Sequence, residues 1–341
     1  MSTDLLILIQ GREIAASRYR ILQYIPYLDK HSVSCTVEEF PHSPGAYVSL
    51  LTMLPRYDCV FVQRKRFHFP FLSLFRRRAR RVIYDLDDAV MFKNTLARSP
   101  YSKTRERRFR NMVRNSDIII AGNSFLKEQA CRHHPDVVVI PTSIPAYKYS
   151  LKDYAKTKER VTIGWIGDHG SIHYLERFKD IWDEIGRRFP GRVELKIICD
   201  TFFDCRHIPV RKAKWSQETE VEELMDIDIG VMPLVDDLWS WGKCGLKILQ
   251  YFGAGVPAVC TPVGVNRNIV IHGKNGYWAR TREEWADMLS MLVNDSKKRR
   301  EMGLTGRKTL ESGFTMEANA PHILSAILGG AMALQVRKGM N

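Results

Sequence analysis

Cysteine is sparse and unpatterned in this chain. Its seven cysteines, Cys35, Cys59, Cys131, Cys199, Cys205, Cys244 and Cys260, are odd in number, scattered and mostly set in apolar runs. That distribution argues against a disulfide framework and for reduced thiols in a cytoplasmic protein, and no Cys/His spacing suits a zinc site. Long hydrophobic runs are missing too, so no segment is read as spanning a bilayer. The opening MSTDLLILIQGRE has an apolar stretch but neither the basic flank nor the length of a signal peptide. Short repeats and low-complexity tracts are absent. Acid is scarce in the first half, where residues 1–155 hold 25 Lys and Arg against 14 Asp and Glu. An acidic partner is therefore expected on that half, whereas the formal net charge of +14 is nearly spent before the second half begins.

What is present is an alternation of short apolar runs with helical patterns. With 341 residues and 45% hydrophobic composition the chain divides most simply into two domains, each able to bury a core. Leu5–Ile9, Val33–Val37, Cys59–Val62, Val82–Asp85, Ile118–Ala121 and Val137–Ile140 read as strands, with a helix from about Ala16 to Leu28. Pro141, Pro145 and the polar stretch 148–160 read as a linker. The pattern then restarts with strands at Val161–Ile166, Val193–Cys199, Ile227–Met232 and Pro257–Thr261, a helix from about Tyr174 to Arg188, and helices over roughly 282–293, 297–311 and 316–328. The reading is an α/β chain of two doubly wound domains, 1–150 and 151–341, with ligand crevices at the carboxyl ends of the strands and one cleft shared between the domains.

The richest segment is Trp241–Pro257, WGKCGLKILQYFGAGVP. It reads as a glycine-marked loop feeding a helix whose first turn carries Lys243 and Lys247. Backbone N–H groups at a helix start and two ammonium groups beside them would hold a diphosphate without a metal ion. Lysines at helical spacing are more often a solvated face, but Gly242, Gly245, Trp239 and Trp241 close by favour the anion site.

In order and spacing, Ile227-Asp228-Ile229-Gly230-Val231-Met232-Pro233, Gly245-Leu246, Gly253-Ala254-Gly255-Val256-Pro257, Pro262-Val263-Gly264-Val265 and Gly273-Lys274-Asn275-Gly276-Tyr277 resemble the nucleotide-sugar domain of family 4 glycosyltransferases. The resemblance implies the GT-B fold, two facing Rossmann-like domains, over nearly the whole chain. It implies transfer of a sugar from a nucleotide-diphosphate donor to a glycan or lipid-linked acceptor, with retention, in cell-surface polysaccharide or glycoconjugate synthesis; the cationic phosphate site read above makes a metal redundant, and no other cofactor is expected. The family usually carries a Glu at each end of a nine-residue stretch here, and this chain has Gly242 and Gln250 instead. A Gln amide can still bond a ribose hydroxyl, whereas glycine cannot contact the donor sugar as the first Glu does; Asp236, Asp237 or Lys243 is the expected substitute. Where relatives often place an Arg and a Lys on the donor phosphates, this chain reads Gly164-Trp165-Ile166-Gly167-Asp168-His169-Gly170-Ser171, so the candidates for the cationic work are Lys243 and Lys247 together with Arg18 or Arg20.

Donor contacts are therefore expected from Gly11, Arg18, Arg20, Gly167, Asp168, His169, Trp215, Lys243, Gly245, Leu246 and Gln250. Lys247 would neutralise the leaving phosphate as charge develops on it. Asp85, Asp87 and Asp88 close a strand, so one of them would orient the acceptor hydroxyl or accept its proton, unless Asp87 or Asp88 merely caps the next helix. Relatives often place a catalytic histidine near this point, which this chain lacks. The Asp85-Leu86-Asp87 triplet is also similar to the metal signature of GT-A enzymes, a weaker alternative. Residues 64–81 contain no acid and mix Arg64, Lys65, Arg66, Arg76, Arg77 and Arg78 with Phe71 and other apolar side chains. This is either a surface for an acceptor and the anionic inner face of a membrane, or a buried helix with solvated ends. A silent sugar-nucleotide-binding protein is the main rival; a nucleic-acid-binding protein is less favoured, since no recognisable binding motif accompanies the charge, and no nucleic-acid partner is expected.

Overall fold

The computed structural model describes residues 2–329 apart from Thr157. The first unit carries a six-stranded parallel sheet built from β1 (Thr3–Ile9), β2 (Val33–Glu39), β3 (Cys59–Gln63), β4 (Val82–Leu86), β5 (Ile118–Ala121) and β6 (Val137–Val139), in the order β2-β1-β3-β4-β5-β6. The second carries β7 (Val161–Ile166), β8 (Val193–Cys199), β9 (Val210–Lys214), β10 (Ile229–Met232), β11 (Ala258–Cys260) and β12 (Gly276–Trp278), in the order β12-β11-β10-β7-β8-β9. Every pairing is parallel. The strand order reverses between β1 and β3 in one sheet and between β7 and β10 in the other, the points at which open α/β sheets form ligand crevices.

The run Leu5–Ile9 is apolar throughout because both sides of its sheet are covered. Leu6 and Leu8 pack with Val60, Val62, Tyr84 and Ile119 on one side. Leu5, Ile7 and Ile9 pack with Phe61, Ile83 and Ile120 on the other. That second face is closed by Ala320, Ile323, Leu324 and Ile327 from the helix Met316–Leu328, and Arg81 donates to the carbonyls of Ala326 and Ile327. The helix that the sequence assigned to the second domain thus completes the first. The compact units are Met1–Ser143 with Asp237–Cys244 and the segment from Met316 onward, and Ile144–Asp236 with Gly245–Thr315. In the second unit Ile163, Trp165, Leu195, Ile197, Ile229, Val231 and Val259 meet the indoles of Trp182 and Trp285.

Local breaks differ from the periodicity. The helix expected over 16–28 is Ala15–Arg20, a 3-10 turn Leu22–Tyr24, and a second helix Ile25–Lys30 with Pro26 in its first turn. Proline lacks the N–H that a continuous helix needs there and suits a helix start instead. The helix expected over 174–188 is likewise two, Ile172–Glu176 and Lys179–Arg188. The edge strands β9 and β12 were not legible: VRKAK is charged and mostly exposed, as an edge tolerates, and GYW is only three residues long.

Candidate functional site

In the first unit, the ends of β1, β3, β4 and β5 bring charged groups together. Arg20, from the helix Ala15–Arg20, is buried and grips Asp85 at 2.6 and 3.2 Å while donating to the Ile140 carbonyl at 2.8 Å. Burial alone would lower the Arg20 guanidinium, but Asp85 outweighs it and the pKa is raised. Burial pushes the Asp85 carboxyl up against the pull of Arg20. Both side chains are therefore spent on each other. This corrects two expectations: Asp85, at 0% exposure, does not face a substrate, and Arg20 is not a spare cation for a donor phosphate.

Arg64 follows β3 with φ of 54°, in the left-handed region that non-glycine residues rarely occupy. The conformation is held from several sides. Arg64 N donates to the Asp85 carbonyl at 2.9 Å, and its own carbonyl accepts from the Tyr84 hydroxyl at 3.0 Å. Its guanidinium forks onto both oxygens of Asp87 at 2.6 and 2.5 Å and reaches Asp88 at 3.2 Å. Although burial opposes it, Arg64 holds the Asp87 carboxyl below its usual range. No helix follows until Lys103, so neither Asp87 nor Asp88 is a cap. Strain kept in place by many partners is typical of functional sites.

Lys243 joins this group. It lies beyond the short helix Leu238–Trp241, before the next helix and not in its first turn as expected. Its ammonium bonds Asp88 at 3.0 Å and lies 5.1 Å from the Trp239 ring centre. Asn123, which caps the helix Ser124–Cys131, donates to the carbonyls of Trp241 and Lys243 at 3.2 and 3.1 Å. A Cβ at Gly242 would fall 2.4 Å from Ala89 N. The missing Glu at 242 is thus more than a substitution, since the backbone around Asp88 and Ala89 fills the space a side chain would need. Burial pushes the neighbouring Cys244 thiol up to about 12.

In the second unit, the helix Leu246–Gly253 begins after Gly245, which stands at φ 73°. A left-handed residue at this point favours glycine. Lys247 on the first turn lies 5.3 Å from the ring centre of Trp165 on β7. Gln250 is buried at 3% exposure, so the helix-surface alternative is set aside. The structure thus brings Gly245, Leu246, Lys247 and Gln250 together on one short helix and assigns Gly242 and Lys243 to the other unit.

Other expected residues scatter. Gly167 is required by packing, because a Cβ would meet the Trp165 ring at 2.2 Å. The exposed Asp168 accepts from the Ser171 hydroxyl at 2.8 Å. His169 is 76% exposed and bonded to Asp200 at 2.6 Å, which raises its pKa. Trp215 donates its indole N–H to Glu220 at 3.1 Å. Arg18 stacks on Tyr19 at 5.1 Å, and a Cβ at Gly11 would meet the side chain of Ile14 at 3.2 Å. On the basic segment, Phe71 does not project as an insertion residue. It packs half-buried against Tyr47 and Phe67 at 4.6 and 4.9 Å between ring centres. Arg76 pairs with Asp117 at 2.8 Å. The outward face of the helix Phe69–Arg78 carries Phe69, Leu74, Arg77 and Arg78, all exposed. Lys65, Arg66, Arg105, Arg108 and Trp239 converge beside Arg64, although the pattern gave Trp239 and Arg105 no shared place. The run of positive charge was the signal for the basic residues, and Trp239 was legible only as an aromatic before Gly242. Among the described residues no helix is long and apolar enough to cross a membrane.

Residues 160–295 match the family model described as Glycosyl transferases group 1. Spore coat protein SA of Bacillus subtilis (strain 168) is 30% identical over 79 residues, which span 22% of this chain and 21% of that protein. Sucrose-phosphate synthase from Thermosynechococcus elongatus superposes with a TM-score of 0.70 at 12% identity, covering 99% of this chain and 100% of that one. HepE from Anabaena, solved with UDP and glucose, gives 0.68 at 14% identity over 94% and 98% of the two chains. The fold is that of the GT-B glycosyltransferases. The curated relative is matched over about a fifth of its length, and at these identities the solved structures establish the fold alone.

Within this GT-B chain the Arg20–Asp85 pair should carry a measurable share of first-unit stability. Asp85→Asn leaves a buried guanidinium without its counter-charge and is predicted to cost about 3–5 kcal/mol. The double change Arg20→Met with Asp85→Leu should recover most of that loss. Urea unfolding of both variants is the check, and wild-type stability in D85N would show that the pair holds nothing.

Proposed function

We propose that the protein is a glycosyltransferase that takes a sugar from a nucleotide-diphosphate donor without a metal ion and passes it, with retention, to a glycan or lipid-linked acceptor of the cell surface. The observation that carries this is the helix start at Gly245 in the second unit, with Lys247 on its first turn and Gln250 buried one turn further on, inside the segment that matches the glycosyl transferases group 1 model. Donor recognition then falls to the second unit. The N–H groups of Gly245 and Leu246 would bond the distal phosphate, Lys247 would balance charge as the sugar–phosphate bond stretches, and Gln250 would meet the ribose. The HepE structure holding UDP and glucose supports a donor of that class.

Acceptor recognition falls to the first unit. Asp88 is assigned to orient an acceptor hydroxyl because its ion-pair contacts, 3.0 Å to Lys243 and 3.2 Å to Arg64, are longer than the closest ones of the other two, 2.6 Å from Arg20 to the buried Asp85 and 2.5 Å from Arg64 to Asp87. The three carboxylates are already engaged by Arg20, Arg64 and Lys243, an arrangement suited to neutralising charge through side chains and not through a chelated ion. Peripheral attachment to an anionic membrane surface, on its inner face, rests on the outward Phe69, Leu74, Arg77 and Arg78, in place of Phe71 and Arg76. The filled space at Gly242 is the one observation favouring the rival reading, a silent sugar-nucleotide binder.

Release of free nucleotide across a panel of nucleotide sugars separates the two, because only an enzyme releases it. Lys247→Gln is predicted to weaken nucleotide-diphosphate binding about 10-fold, near 1.4 kcal/mol, in a thermal-shift titration; unchanged affinity would remove the ammonium from the donor site. Turnover should be the same in EDTA as in buffer, and a loss that Mn²⁺ restores would overturn the metal-free mechanism. In vesicle flotation, Arg77→Gln with Arg78→Gln should lower partitioning to anionic lipid, and equal partitioning to anionic and neutral lipid would end the attachment proposal.

A further inference from the structure

The first sheet holds a second charged feature that the acceptor role of Asp88 does not use. Beside Arg64 opens a pocket of about 350 Å³ lined by Gln10, Arg64, Lys65, Arg66, Val90, Arg105, Arg108 and Trp239. Gln10 follows β1 and Arg64 follows β3, so the pocket stands at the switch point of the sheet, where the crossovers leave in opposite directions. Among the described residues no carboxylate lines it.

Arg66 differs in kind from Arg64 beside it and from Arg20. Arg20 and Arg64 are raised by the carboxylates they grip, in spite of burial. Among the described residues no carboxylate pairs with Arg66. Burial and the charges of Arg105 and Arg108 hold its guanidinium below the usual range, and the Tyr84 phenol alone acts in the opposite sense. Its donors go to neutral carbonyls, Val90 at 2.5 Å and Arg105 at 3.5 Å, and Arg105 donates to the Phe92 carbonyl at 2.9 Å. Carbonyls satisfy hydrogen bonds but leave the net charge uncompensated. Beside the paired Arg64, three further guanidiniums and one ammonium collected on this scale are costly unless an anion completes them.

We propose that this pocket binds a phosphate group of the acceptor, with Lys65, Arg66, Arg105 and Arg108 as its ligands and the Trp239 indole as one wall. Phosphate fits better than a single carboxylate because its double charge and three oxygens engage several guanidinium forks at once. The pocket is tied to the acceptor carboxylate through Arg64, which lines it and also bonds Asp88, and through Trp239, against which the Asp88 partner Lys243 rests. A phosphorylated acceptor held here would present a neighbouring hydroxyl to Asp88. The inference rests on the glycosyltransferase reading for its meaning and on the first unit alone for its geometry.

Inorganic pyrophosphate followed by tryptophan fluorescence is the test. If both readings hold, the wild-type isotherm has two components. One is weakened about 10-fold or more by Lys65→Gln with Arg108→Gln, is preserved in Lys65→Arg with Arg108→Lys, and loses its signal in Trp239→Phe; the other is lost in Lys247→Gln. Only the Lys247-sensitive component remaining would overturn the pocket and spare the donor site. Only the Lys65/Arg108-sensitive component would sustain the pocket and overturn the donor assignment. Near-UV circular dichroism of each variant separates lost binding from lost structure, and a K65Q/R108Q protein that is folded and binds pyrophosphate as the wild type does refutes the proposal. Cosedimentation with phosphatidylcholine vesicles containing phosphatidic acid then identifies the phosphate source: a parallel loss in K65Q/R108Q supports a lipid-borne phosphate, and an unchanged vesicle affinity beside a weakened pyrophosphate affinity supports a soluble one.

Discussion

The pairing of carboxylates with guanidiniums along the carboxyl edge of the first sheet is the constraint from which the rest of that unit's site follows. Asp85, Asp87 and Asp88 are too close in sequence to be buried together unless each is neutralised. Arg20 comes from the first helix, Arg64 from the end of β3 and Lys243 from the distant segment Asp237–Cys244. The network ties the end of the first helix, the left-handed Arg64 and a stretch of late sequence to one run of carboxylates. Gly242 is the steric counterpart of the same closure, since only a residue without a side chain lets that stretch lie against Ala89.

The second unit solves a different problem. Its helix start is shaped by Gly245 and by apolar packing under the sheet, where the Tyr251 hydroxyl donates to the Val231 carbonyl at 3.1 Å and the Trp165 indole supports Lys247. Here the backbone provides the polarity and a single ammonium group adds to it. Dense side-chain ion pairing occurs in both units, around Asp85, Asp87 and Asp88 in the first and around Asp226 and Asp228 in the second, whereas the helix start at Gly245 stands apart from the second network.

The Gly and Gln at positions 242 and 250, where the resemblance leads to the expectation of Glu, acquire a physical content. Gln250 is buried, so a neutral amide there avoids the desolvation that a carboxylate would suffer. Gly242 belongs to packing within the first unit. Under the proposed transfer the group that contacts the sugar comes from a side chain other than position 242, and Lys243, taken up by Asp88 and Trp239, is no simple replacement.

Much of the fold was legible because parallel strands buried on both faces must be continuously apolar: Ile118–Ala121, Val161–Ile166 and Val193–Cys199 end where their hydrophobic runs end. The glycines around Leu246 marked the helix start for the same local reason, a backbone angle or a close approach. Partners were not legible. That Arg20 would meet Asp85, that Phe71 would turn inward while Phe69 turns out, and that Met316–Leu328 would cover the first sheet all depend on which faces meet across long separations. The sequence by itself determined the alternation of strands and helices, the apolar runs in which most cysteines sit and the excess of positive charge, because these are properties of neighbours along the chain. Only the tertiary structure decided which charges are spent on one another and which remain for a ligand, because Coulombic pairing and desolvation act through space.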